Sequence, residues 1–218
     1  MWARLVVATL LSIGLAPCNA QDRSENDPKG KTVQVTVGNV DLDIPLGYFF
    51  EKTLWNEGKW PVPKPTRSVE KRPITIVAHI NGMQPWSPAL DADFRSGGVR
   101  TTRILIRGDY NKNWLKNSIG SSPLLEIVAS KEKLPNLVAY TRSPSSPRSE
   151  VIYLQSAVPQ RPYFEIRCSR LTAAIKCGVM FDYREDLVIA YSLPVALLAD
   201  WKSVHADVVR LLDSFQSK

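Results

Sequence analysis

Histidine is nearly missing from this chain: His79 and His205 are the only two in 218 residues. That excludes most multi-histidine metal sites. It also leaves a serine hydrolase, whose nucleophile needs an imidazole partner, only two places to find one. Neither histidine falls in a segment that reads as a loop. Cysteine is almost as scarce, with Cys18, Cys168 and Cys177 and no C-x-x-C spacing. G-x-S-x-G, H-E-x-x-H, P-loop and dinucleotide fingerprints are all missing, and Gly120-Ser121-Ser122-Pro123 only grazes the nucleophile-elbow pattern. No internal repeat recurs at a fixed period. No apolar run approaches the roughly 18 residues needed to span a bilayer. With 44% hydrophobic and 22% charged residues, wholesale disorder and collagen-like structure are out. The length suits one medium domain or two small ones.

What is present begins with an address. Arg4 precedes an apolar run from Leu5 to Leu15, too short for a membrane span but right for the core of a secretory signal. Cys18-Asn19-Ala20 supplies small residues at the positions a cut after Ala20 requires, and Gln21 to Lys31 is polar. Residues 1–20 therefore read as a signal peptide and 21–31 as a polar, flexible tail. A rival cut exists. Leu15-Ala16-Pro17-Cys18 resembles a bacterial lipobox, which would lipidate Cys18, although proline before the cysteine departs from the pattern. Plain cleavage and a periplasmic protein are the favoured reading. Removing residues 1–20 takes away Arg4 and no acid, so the net charge of +7 falls by one.

In an oxidising compartment Cys168 and Cys177 become a disulfide candidate. Tyr163 to Ser169 and Lys176 to Asp182 read as two antiparallel strands. Setting Cys168 against Cys177 puts Ile166 opposite Val179 and Phe164 opposite Phe181. Side chains alternate across a strand, so every residue on that face is apolar. The other face carries Glu165, Arg167, Lys176 and Asp182. A slip of one residue would destroy the separation. The lack of a C-x-x-C motif or a neighbouring histidine argues against a reactive thiolate.

Leu187 to Leu193 follows as a third strand, and Ser192 and Pro194 are expected to start a helix, since proline is allowed in a first turn. Leu197, Trp201, Val204, Val208, Leu211 and Phe215 then make one apolar stripe, with His205 at its edge. Upstream, Thr32 to Val37 and Val40 to Ile44 read as strands joined by Gly38-Asn39, a hairpin signal. Trp60-Pro61-Val62-Pro63-Lys64-Pro65 forbids helix and central strand. Strands are expected over Pro73 to Ile80, Arg103 to Arg107, Leu124 to Ala129, Leu137 to Tyr140 and Val151 to Gln155. Trp86 to Gly98 reads as irregular, and Asp109 to Ser118 as a short helix. The expected fold class is α+β, a mainly antiparallel sheet in meander order with a C-terminal amphipathic helix on it. Residues 32–218 are taken as a single domain. The polar stretch 141–149 is a hairpin loop in this reading and a sub-domain break in the rival one.

Candidate chemistry is thin. Asp41/Asp43, Asp91/Asp93 and Glu185/Asp186 are carboxylate pairs of the type that cut glycosidic bonds, but each lies in or beside a turn-like segment where solvated acids are ordinary. They also lack calcium-loop spacing. No catalytic residue, metal or cofactor is assigned. Positive charge concentrates at Arg95, Arg100, Arg103, Arg107, Lys112 and Lys116. Arg103 and Arg107, four apart on a strand, share a face at about 13 Å. That fits an anionic partner, though not nucleic acid in this compartment. Trp55, Trp60 and Trp86 fall in irregular, proline-punctuated segments, and tryptophan is enriched in interface hot spots. The expected partner-binding residues are therefore Trp55, Trp60, Trp86, Arg103 and Arg107, against a protein with an acidic surface.

The layout resembles small envelope proteins of Gram-negative bacteria. The features that carry the resemblance are the secretion signal, an early strand pair leading into Asp43-Ile44-Pro45-Leu46-Gly47-Tyr48-Phe49, the cysteine-bearing hairpin and the terminal helix Trp201 to Phe215. Among those proteins are immunity proteins that protect cells from periplasmic toxins delivered by the type VI secretion system. The resemblance implies a non-enzymatic inhibitor that blocks a toxin by tight complementary contact, and it transfers no functional residue. The alternative is an envelope-associated accessory protein that binds a lipid or glycan, and a hydrolase ranks behind both.

Overall fold

Alternating apolar and polar residues build strands through most of the chain. The computed structural model describes residues 28, 30–51, 73–108, 126–127, 134–141, 150–154, 163–169, 176–184 and 187–216. Thr32–Val37 (β1) and Val40–Pro45 (β2) pair as an antiparallel hairpin with Val37 opposite Val40. Ile74–His79 (β3), the short helix Asp91–Ser96 (α1) and Thr101–Arg107 (β4) follow. Then come Glu126–Ile127 (β5), Val138–Thr141 (β6), Glu150–Leu154 (β7), Phe164–Ser169 (β8), Lys176–Tyr183 (β9) and Leu187–Pro194 (β10). Trp201–Ser214 (α2) is the last element. Among the described residues, β3 to β10 form one sheet in the order β3-β4-β10-β9-β8-β7-β6-β5, antiparallel at each pairing. β5 to β10 are thus a meander, with β3 and β4 added beside β10. This is the α+β class expected from the pattern.

The hairpin of β8 and β9 takes the register that the cysteines imply, with Phe164 opposite Phe181 and Ile166 opposite Val179. A disulfide joins Cys168 to Cys177 across a Cα–Cα distance of 4.4 Å. The apolar face continues through Ile189 and Leu193 of β10, Ile104 and Ile106 of β4, and Ile76 of β3, all fully buried. The stripe of α2, buried at Trp201, Val204, Val208, Leu211 and Leu212, covers it. The Phe164 and Trp201 rings meet at 4.8 Å, and Phe181 meets the His205 ring at 4.5 Å. Alternation alone accounts for this arrangement: residues of one parity face the helix, and the others form the opposite face.

The first hairpin closes the far end of α2. Asp43 donates its backbone N–H to the carbonyl of Phe215 at 2.6 Å, and Tyr48 packs edge-on to Phe215 at 5.1 Å. Just past the end of β4, Gly108 passes so close to the β1–β2 turn that a Cβ would come within 2.5 Å of the Gly38 nitrogen. Only glycine permits that approach.

Two expectations are corrected. The terminal helix does not begin at Ser192 or Pro194. Ser192, Leu193 and Pro194 pair with Gly178, Cys177 and Lys176, so the ladder with β9 holds them in the strand. A single 3-10 turn, Val195–Leu197, then leads to α2. Trp86 to Gly98 is not wholly irregular, because it holds α1 with Asp91 and Asp93 in its first turn. Six residues are too few to show helical periodicity. Thr141 ends β6 and Glu150 begins β7, and the two strands pair with each other. Residues 142–149 between them lie outside the described residues. So do residues 1–20, expected to be a signal peptide and holding Cys18, most of the expected tail 21–31, Trp55, Trp60, Glu185, Asp186 and the helix expected over 109–118. Among the described residues, no helix is long and apolar enough to cross a membrane.

The closed loop of ten residues predicts a measurable contribution. Replacing both Cys168 and Cys177 by serine should lower unfolding stability by roughly 2.7 kcal/mol in the chain-entropy model. Urea titration of oxidised wild type against the double variant measures it, and equal midpoints with equal slopes would contradict it.

Candidate functional site

The sheet face opposite α2 is assembled by register. Arg103 of β4 and Ser192 of β10 are cross-strand neighbours, and the Arg103 backbone N–H donates to Ser192 Oγ at 3.2 Å. Ser192 pairs with Gly178, and Gly178 with Arg167. One row thus runs across four strands, with an arginine at each end. Between the arginines, on the outer surface, lies a groove of about 570 Å³. It meets a second groove of about 580 Å³, partly walled by Phe94 and Arg95 of α1, and the two share Arg103, Lys176 and Ser192.

The charges in this region differ in their settings. Lys176 Nζ donates to the carbonyls of Thr101 at 2.8 Å and Gly97 at 3.4 Å. Burial and the nearby Arg103 charge together hold its pKa below the ordinary lysine value. Glu165 is 1% exposed. It accepts a hydrogen bond from the Tyr163 hydroxyl, and Arg167 Nη2 lies 3.2 Å from both of its oxygens. A buried carboxylate needs such partners. Arg103 is exposed, and among the described residues no carboxylate pairs with its guanidinium. The same face turns apolar toward β6 and β7, where Tyr140, Ile152, Leu154 and Tyr163 cluster.

Of the five residues expected to bind a partner, the structure places Arg103 and Arg107 on this face. Trp86 lies inside, 8% exposed, with its indole N–H donating to Asp91 Oδ1 at 2.9 Å. It is a packing residue, and its proline-flanked position in the sequence gave no sign of that. Trp55 and Trp60 lie outside the described residues. Sequence reasoning missed the joining of Arg103 to Arg167. The cysteine register implies that Arg167 faces Gly178, but nothing local indicates that β4 lies beside β10.

Of the candidate carboxylates, Asp91, Asp93 and Asp41 make structural contacts, and the pair Glu185/Asp186 lies outside the described residues. Asp91 takes Trp86 and an ion pair from Arg95 at 2.6 Å. Asp93 Oδ2 lies 3.2 Å from His79 Nε2, and Arg100 lies 3.5 Å from its other oxygen. Asp41 accepts a hydrogen bond from Thr36. The His79–Asp93 contact is half of a hydrolase arrangement. The other ring nitrogen of His79 is buried, and among the described residues it has no hydrogen-bond partner, serine included. His205 is enclosed by Phe164, Phe181, Tyr191 and Trp201, and burial lowers its pKa below the usual histidine value. Among the described residues no three metal-ligating side chains converge.

No family model matches the chain, and no curated protein matches it by sequence. Three solved chains share its fold, among them the following two. One is the iron-regulated outer membrane lipoprotein FrpD of Neisseria meningitidis, at 16% identity and a TM-score of 0.52, over 88% of this chain and 95% of that one. The other is Smlt3025, an immunity protein of the Stenotrophomonas maltophilia type IV secretion system, at 18% identity and a TM-score of 0.51, over 86% of this chain and 94% of that one.

The caged histidine sets a pH dependence. Its folded pKa lies below its unfolded value of about 6.5, so the unfolded state binds the proton more readily. The penalty is absent above that value and grows as pH falls through it toward the folded pKa. Thermal unfolding of wild type and His205→Phe should therefore diverge on acidification from neutral pH, with wild type losing more. A constant difference in Tm would contradict this.

Proposed function

We propose that this chain acts outside the cytoplasm as a non-enzymatic binding protein of the immunity type, neutralising a toxin by covering the surface through which that toxin acts. The observation that carries the reading is the division of the sheet. One face is closed by α2, whereas the other presents Arg103 and Lys176 at a pair of open grooves. Such a face suits a partner with an acidic surface, and the net charge of +7 points the same way. Charge of this kind speeds association, while buried contacts slow dissociation. Arg107 belongs to the same face, and Trp55 and Trp60 are assigned to the contact as its aromatic anchors. The disulfide supports residence in an oxidising compartment, the periplasm after removal of residues 1–20.

The fold shared with Smlt3025 supports the immunity type. Type VI is the delivery route the sequence resemblance favours, and type IV is the route of that solved neighbour. A second reading, an envelope-associated accessory protein that binds a lipid or glycan, draws support from the fold shared with the lipoprotein FrpD. The Leu15-Ala16-Pro17-Cys18 sequence, which would anchor the chain, supports it too.

The test is protection. The product of the neighbouring gene, expressed in the periplasm, should arrest growth, and co-expression of this chain should restore it through a stoichiometric complex. Purified mature protein that binds lipid or glycan, with no protein partner in envelope extract, would contradict the immunity reading.

A further inference from the structure

Among the described residues, nothing requires Gly178 to be glycine. It sits inside β9, a central strand, where glycine forfeits both backbone entropy and side-chain packing. Its φ is not positive, unlike that of Gly30, Gly38, Gly82 and Gly97. A Cβ built on it would meet nothing within 4 Å. Among the described residues, neither a turn nor a close neighbour excludes a side chain there. Glycine in such a place commonly marks the approach of a ligand or another backbone.

The position is also electrostatically distinct. Gly178 lies between Arg167 and Ser192, with Arg103 beyond Ser192 in the same cross-strand row. Three strand spacings separate the two arginine backbones, about 14 Å, which is room for one extended segment. Lys176, two residues along β9, borders the groove, and the carboxylate of Glu165 is already held by Tyr163 and Arg167. In the adjoining groove, among the described residues, Arg103 and Lys176 face one acid, Glu51, while Arg95 is ion-paired with Asp91. A second copy of this cationic chain would be repelled here.

We propose that the Arg103–Ser192–Gly178–Arg167 row is the seat of an acidic segment of the partner protein. The partner's main chain passes over Gly178, and its Asp or Glu side chains meet Arg103 and Lys176. This rests on the binding reading above and adds to it the place, the contact chemistry and the role of the glycine.

The test uses the mature protein with a polyglutamate peptide, a polyglutamine control and phosphatidylglycerol–phosphatidylethanolamine vesicles. Gly178→Val should keep or raise Tm, because valine suits a strand and space is open. It should nonetheless weaken polyglutamate binding roughly tenfold, and Arg103→Glu should do at least as much. Lys202→Glu, an equal charge change on exposed α2, should leave binding unchanged. The proposal is overturned if folded Gly178→Val binds as wild type does. It is also overturned if Lys202→Glu weakens binding as much as Arg103→Glu, or if the vesicles bind in preference to the peptide with the same residue dependence. A neighbouring-gene product held equally by wild type and both groove variants would overturn this seat and leave the immunity reading intact. Peptide binding with the expected dependence, and no protein partner in the cell, would do the reverse.

Discussion

Burial of the α2 stripe against one parity of β8, β9 and β10 is the contact on which the rest depends. Trp201, Val204, Val208 and Leu211 recur at helical spacing, and Phe164, Val179, Phe181 and Ile189 at strand spacing. The two periodicities can be satisfied together only by laying the helix over the sheet. Once that face is closed, strand alternation leaves Arg103, Arg167, Lys176 and Gly178 on the other. The cationic face is thus the obligatory reverse side of the hydrophobic core. It cannot be turned inward without a register slip that would also expose Ile166 and Val179. The disulfide reinforces this at the hairpin that contributes most to both faces.

The fold was legible in the sequence where periodicity is strong or a covalent constraint acts. The Cys168–Cys177 hairpin, the first hairpin around Gly38-Asn39, the inward placement of Ile104 and Ile106, and the stripe of α2 all follow from local pattern. What could not be read was long-range or short. Pro194 looked like a helix start because its own chemistry permits one, but pairing with β9 drew it into a strand. Helix α1 was invisible because six residues display no period. The neighbourhood of β4 and β10, which brings Arg103 beside Ser192, depends on strand order, and no local signal encodes that.

The candidate site was legible in part for the same reason. Arg103 and Arg107 stood out by charge and spacing. Trp86 stood out as an aromatic in an irregular stretch, yet it lies beneath the surface with its indole N–H on Asp91. Gly178 drew no notice, because a glycine in a strand pattern acquires meaning only when the space around it is known. The two histidines resolve into one that is paired with Asp93 and one that is caged by aromatics. The fold itself is shared by an outer membrane lipoprotein and an immunity protein at 16% and 18% identity. Fold alone does not choose between such roles, so the choice rests on the site.

The central claim is that the partner docks on the face opposite α2. It is tested most directly by site-specific photo-crosslinking in the intact envelope. A photo-reactive amino acid is placed at position 178 in one protein and at position 202 in another. The account predicts a single discrete protein adduct from position 178 and none from position 202. An adduct from position 202 alone would contradict it.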